Sequence, residues 1–211
     1  MTRFLFIGDS ITDGHRSDDA ERGLGSGYVP HIAAALEREN PADEVLNRGV
    51  SGDRARDLLR RWEDDCLSLQ PQVVTVLVGV NDTWRRYDSD DETTAADFEA
   101  IYRELLEQLR QGARSEVVLM TPFLVALDAD QALWNADLDP KIAVVARLAA
   151  EFDATLVPLD RVMTEAAGVV GAAAVAGDGV HPSPYGDVLI AAAWLAATTS
   201  LRTGIAAPAE P

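Results

Sequence analysis

The chain has 211 residues, 47% hydrophobic and 25% charged, which suits one folded domain with a full core and excludes a low-complexity or disordered chain. Its formal net charge of −17 argues against nucleic acid and anionic membranes as partners, since both are bound through basic patches. The acidity names no ligand by itself and reads most simply as a solubility trait of an alanine-rich surface.

Met1–Leu5 runs straight into a strand-like segment, without the charged region, apolar stretch and cleavage site of a signal peptide. The first strand is expected over Arg3–Gly8. A long connection, Thr12–Gly27, follows it and carries Gly14, Gly23, Gly25 and Gly27. Val29, Ile32, Ala33 and Leu36 then share one helical face. A second strand over Glu44–Asn47 precedes a face made of Leu58, Leu59, Trp62 and Cys66. Val73–Gly79 reads as the third strand, ahead of a face with Phe98, Ile101, Leu105 and Leu109. Glu116–Thr121 reads as the fourth. The second long connection, Pro122–Asn135, leads into a face of Leu138, Ile142, Val145 and Ala149. A fifth strand at Thr155–Pro158 and an alanine-rich helix from Pro184 to about Thr199 complete the pattern. Strands this continuously apolar belong in a parallel sheet covered on both faces, and the alternation with helices gives a three-layer α/β/α sandwich. One domain over residues 1–203 is expected, with 204–211 as a flexible tail. No apolar run approaches the roughly 20 residues of a membrane helix. The single cysteine, Cys66, allows no internal disulfide and makes a cytoplasmic location the simpler expectation.

Chemistry-bearing residues gather at the strand ends. Ser10, in Gly8-Asp9-Ser10, ends the first strand, where a serine is either a helix N-cap or a nucleophile awaiting a base. The bases available are His15, His31 and His181. His31 falls inside an amphipathic helix, and His15 has no carboxylate obviously placed to orient it. His181 has Asp178 three residues upstream in a turn, from which a carboxylate reaches Nδ1–H and leaves Nε2 free for the serine proton. Gly52, in Ser51-Gly52-Asp53, offers a bare backbone N–H, and Asn81, in Gly79-Val80-Asn81-Asp82, offers a side-chain amide. Acyl transfer needs such donors for its oxyanion; alone, each block is also a turn.

In this order Gly8-Asp9-Ser10, Gly52, Asn81 and Asp178-x-x-His181 resemble the four signature blocks of the GDSL/SGNH hydrolases. The resemblance implies a flavodoxin-like, five-stranded parallel sheet of order 2-1-3-4-5. It further implies Ser10 as nucleophile, His181 as base, Asp178 as its orienter, and an oxyanion hole from the Ser10 and Gly52 N–H groups and the Asn81 amide. Longer stretches, among them Gly25-Ser26-Gly27-Tyr28-Val29, Asn47–Gly52 and Gly79–Arg85, are similar to intracellular esterases that remove acetyl groups from xylo-oligosaccharides. Those relatives imply a small acetylated sugar as partner, a homo-oligomer, and neither metal nor other cofactor. They also lead one to expect a bulky aromatic before the catalytic aspartate and a large residue after it, whereas Gly177 and Gly179 flank Asp178 here. The substrate wall then falls to Trp84, Phe123 or Trp134, with Asp9 as a further candidate contact. Three alternatives stand beside this reading. One is a broad acylhydrolase of lipase, lysophospholipase or thioesterase type. Another is a metal-dependent phosphoesterase using Asp9, Asp13, Asp178 and His181. The last is a non-catalytic carbohydrate-binding protein on the same fold.

Overall fold

Alternate residues of a strand point to opposite faces of a sheet, and in β1 (Arg3–Gly8) both sets are apolar. The computed structural model describes residues 1–112 and 115–206. In it Phe4 and Phe6 join one buried cluster with Tyr28, Ile32 and Trp194. Leu5 and Ile7 join the other, with Leu58, Trp62 and Tyr102. β2 (Glu44–Gly49), β3 (Val73–Leu77), β4 (Glu116–Met120) and β5 (Thr155–Val157) join β1 in one parallel sheet of order β2-β1-β3-β4-β5.

The helices in chain order are the short α1 (Ser10–Asp13), α2 (Tyr28–Glu39), α3 (Ala55–Asp65), α4 (Val80–Ser89) and α5 (Ala95–Gly112). The short α6 (Ala129–Ala132), α7 (Asn135–Glu151), α8 (Leu159–Val170) and the short α9 (Ala172–Val175) follow. α10 (Pro184–Ala197) and α11 (Thr199–Ala206) close the described chain. α2, α8 and α10 pack on the face that carries Phe4 and Phe6, and α3, α5 and α7 on the other. This is the three-layer sandwich and strand order that the sequence led us to expect. No helix among the described residues is long and apolar enough to cross a membrane.

Several boundaries differ from expectation. β2 runs on to Gly49, while β3 stops at Leu77. Gly79, at φ 136, turns the chain in a conformation closed to other residues, so Val80 starts a helix where only a turn was evident. α8 was not anticipated, because it buries only Leu159 and Met163 and leaves Val169 and Val170 to solvent. At the other end helix α11 continues through Gly204 to Ala206, inside the segment expected to be a tail; residues 207–211 lie outside the described residues.

One polar contact pins α10 to the middle of the sheet. The buried Trp194 indole N–H donates to Thr75 Oγ1 of β3 at 3.0 Å, while its ring meets Phe6 at 5.4 Å. Thr75→Val keeps the shape of the side chain but strands that N–H. It should cost about 1–3 kcal/mol in denaturant unfolding; an unchanged midpoint would mean that the indole finds another acceptor.

Candidate active site

Parallel pairing puts the ends of β1, β2 and β3 side by side, with Gly8 opposite both Gly49 and Leu77. Ser10, Gly52 and Asn81 each follow one of these strands, so they gather on one edge of the sheet. Side chains are excluded where the strands end. A Cβ on Gly8 would sit 2.1 Å from the Leu77 carbonyl oxygen, and one on Gly49 2.1 Å from Asp13 N. Asp9 then caps α1, accepting from the Ile11 N–H at 3.0 Å, and Ser10 begins the helix.

Ser10 Oγ lies 2.9 Å from His181 Nε2, and His181 Nδ1 lies 2.6 Å from Asp178 Oδ2. The other Asp178 oxygen accepts from the backbone N–H groups of Val180 at 2.9 Å and His181 at 2.7 Å. Burial works against the Asp178 charge. The hydrogen bonds from the His181 ring and the two N–H groups outweigh it and hold the carboxyl below its usual range. Such a chain can pass the serine proton to Nε2 while the carboxylate steadies the ring.

Gly52, at φ 87, stands open, with nothing within 4 Å of where a Cβ would be. The buried Asn81 amide donates to the Asp53 carbonyl at 3.1 Å. A primary amide has two N–H donors, so one remains for a ligand. Arg61 sits behind these groups. It donates to Asp53 Oδ2 at 2.7 Å and to the carbonyls of Arg48 at 2.8 Å and Gly8 at 3.1 Å. Its guanidinium thus ties the ends of β1 and β2 to the loop that orients Asn81. From the sequence alone Arg61 had no assigned role.

Of the proposed substrate contacts, the structure brings two to the site. The Trp84 ring centroid is 6.0 Å from that of His181 and 5.5 Å from that of Trp134. Both tryptophans are half-buried and form a wall beside the imidazole. Tyr87 extends it, stacked on Trp134 at 5.2 Å and 16°; its place one helical turn after Trp84 was the available signal. Two expected contacts are corrected. Phe123 is fully buried in the core and offers no surface to a ligand. Asp9 is also fully buried, with one oxygen on the α1 cap and the other without a partner among the described residues. Burial, reinforced by the charges of Asp82 and Asp53, pushes its carboxyl up to about 7. The ligand set imagined for a phosphoesterase does not assemble: Asp13 accepts from Ser51 Oγ at 2.7 Å and lies 3.5 Å from Arg16, Asp9 is a cap, and no metal-ligating cluster forms among the described residues.

Of the two glycines around Asp178, Gly179 finds a use, while a side chain at Gly177 would meet open space. Gln131 donates from Nε2 to the Asp178 carbonyl at 2.7 Å and accepts from the Leu127 N–H at 2.9 Å. Val125 N–H donates to the Gly179 carbonyl at 2.8 Å. The long connection after β4 therefore grips the Asp178–His181 turn at two points. A Cβ on Gly179 would lie 2.4 Å from Gln131 Oε1 and push Gln131 off the turn it holds, on a backbone whose φ of 85 already disfavours a side chain.

The GDSL-like lipase/acylhydrolase family model matches residues 6–189. An acetylxylan esterase from Geobacillus stearothermophilus is 34% identical over 203 residues, covering 92% of each chain. The crystal structure of that esterase superposes with a TM-score of 0.85 at 32% identity, over 93% of each chain. An α/β hydrolase enzyme from the metagenome of Lake Arreo, Spain, reaches a TM-score of 0.84 at 30% identity, over 94% of this chain and 95% of its own. Strand order and relatives together define the SGNH class of fold. The chain belongs to the GDSL-like lipase/acylhydrolase family and is a carboxylic ester hydrolase.

Gly179→Ala should lower kcat at least about tenfold, because a displacement of about 1 Å in a reacting group is costly. Adding Gln131→Ala should recover part of the loss by relieving the clash. Full activity in Gly179→Ala would show that the turn tolerates the shift.

Proposed function

We propose that this protein removes acetyl groups from carbohydrates, with acetylated xylo-oligosaccharides as the favoured class, through a Ser10 acyl-enzyme. The observation that carries the reading is the unbroken chain from Ser10 Oγ through the His181 ring to Asp178, at 2.9 Å and 2.6 Å. His181 Nε2 takes the hydroxyl proton as Ser10 Oγ attacks the ester carbonyl. The Ser10 and Gly52 N–H groups and the free N–H of Asn81 hold the oxyanion. The alkoxide leaves with the proton from His181; water, deprotonated by the same ring, then releases acetate and restores Ser10. No step calls on a metal or another cofactor. The similarity to an acetylxylan esterase supports the substrate class, and catalytic mutants of that enzyme with a serine or an aspartate replaced by alanine share the fold. The Trp84–Trp134 wall supplies flat apolar faces of the kind on which sugar rings stack.

We infer one catalytic domain over residues 1–203, acting in the cytoplasm as a homo-oligomer. The exposed Leu127 and Leu133 beside Tyr87 support self-association, and the lone, buried Cys66 suits a reducing compartment. Light scattering at working concentration reads the oligomer, and a monomer would refute it.

Against aryl esters from acetate to decanoate, turnover should peak at acetate; a peak at eight carbons or more would make the protein a lipase or thioesterase instead. Ser10→Ala should abolish acetate release, and Asn81→Ala should cut kcat by about 10²–10³.

A further inference from the structure

Two clefts open on the Ser10–His181–Asp178 chain, and they share no lining residue. One runs along Tyr87 and Trp134 to Asp178. The other contains the reacting groups: Ser10 and His181 line it together with Gly14, His15 and Gly27, and the nearly buried Asp187 is its floor. Asp187 belongs to the first turn of α10 and is only 8% exposed. Its backbone N–H donates to the Ser183 carbonyl, but its carboxylate has no hydrogen-bond partner among the described residues.

A carboxylate largely withdrawn from water, with no protein donor and its oxygens open only to a narrow cleft, is costly, and proteins seldom retain one without use. Burial alone pushes the Asp187 carboxyl up to about 7. What reaches it does so from the cleft, past Gly27. A Cβ built there would touch Asp187 Oδ1 at 3.5 Å and the Gly14 backbone at 3.4 Å, in ordinary contact, so the bare glycine leaves the floor uncovered. The methyl of an acetyl group has no donor for this carboxylate and would bury it further. The part of the substrate that fits is therefore the alcohol, provided it carries hydroxyl groups.

We propose that the cleft floored by Asp187 is a subsite for the alcohol portion of the ester, in which Asp187 accepts a hydrogen bond from a free hydroxyl adjacent to the acetylated one. The proposal rests on the sugar esterase reading above and sharpens it. Hydroxyl-bearing acetates are selected over acetates of equal size without donors, because only a donor relieves the desolvated carboxylate. Asp187 is a specificity residue and takes no part in proton transfer.

The test compares three acetates: a monoacetylated xylopyranoside with free hydroxyls, the same sugar with those hydroxyls methylated, and an aryl acetate. The wild-type kcat/KM should favour the free over the methylated sugar by about ten- to a hundredfold, the value of a hydrogen bond to a charged group. That ratio should shrink in Asp187→Asn and approach one in Asp187→Ala. Gly27→Ala, which roofs the floor with a methyl, should lower it as well. Thermal unfolding gives the second readout. Removing an unpartnered buried charge should leave Tm equal or higher in Asp187→Asn, whereas a structural carboxylate would lower it. Equal wild-type turnover of the free and methylated sugars overturns the subsite and leaves the esterase reading intact. So does an equal loss on all three acetates in the Asp187 variants. Cleavage of the aryl acetate with no release from either sugar overturns the sugar reading itself, and the subsite with it.

Discussion

The site depends on a close approach that only glycine permits. At the carboxyl edge of the sheet Gly8 lies against the Leu77 carbonyl and Gly49 against the backbone of Asp13, each at a distance where a Cβ would overlap. The first turn after β1 can therefore settle directly on the ends of its neighbours. That contact brings Ser10, Gly52 and Asn81 to one edge from three different strands. Asn47 fastens the same region, donating to the carbonyls of Thr12 at 2.7 Å and Leu24 at 2.9 Å and accepting from the Gly49 N–H at 2.8 Å. Open parallel sheets bind ligands at this edge for the same reason: the strand ends converge there and the loops are free to specialise.

Behind the edge lies an unusual amount of buried charge. Asp9 and Asp82 are both fully enclosed and both pushed up to about 7, chiefly by burial. Lys141 is the cation that favours the Asp82 charge, whereas Arg61 spends its donors on backbone carbonyls, Asp53 and Asp65. Charge is therefore used to fix the backbone that carries Gly52 and Asn81, while the catalytic carboxylate, Asp178, is stabilised by its own turn. Two separate networks hold the oxyanion donors and the base. They meet at Ser10.

Much of this was legible in the sequence, for identifiable reasons. Strands buried on both faces are continuous apolar runs, so all five were found within two residues of their ends. Asp178 and His181 were legible because a carboxylate three residues before a histidine is a local arrangement. Asp9 was not: an aspartate next to a nucleophile reads alike as cap, ligand or contact, and only its burial decides. Phe123 was placed in the cleft because its loop follows a strand end, although the unbroken run Phe123-Leu124-Val125 already marked a core segment. Arg61 and Gln131 act through carbonyls 53 and 47 residues away, at Gly8 and Asp178, and no local pattern encodes such contacts.

The central claim is that Ser10, activated by His181, is the atom that attacks the ester. Labelling with a fluorophosphonate, followed by mass mapping of the adduct, tests it most directly. A single adduct on the peptide containing Ser10, formed at a rate that collapses in His181→Ala, is the predicted result. An adduct elsewhere, on Ser26 or Ser51, or a labelling rate indifferent to His181, would contradict it.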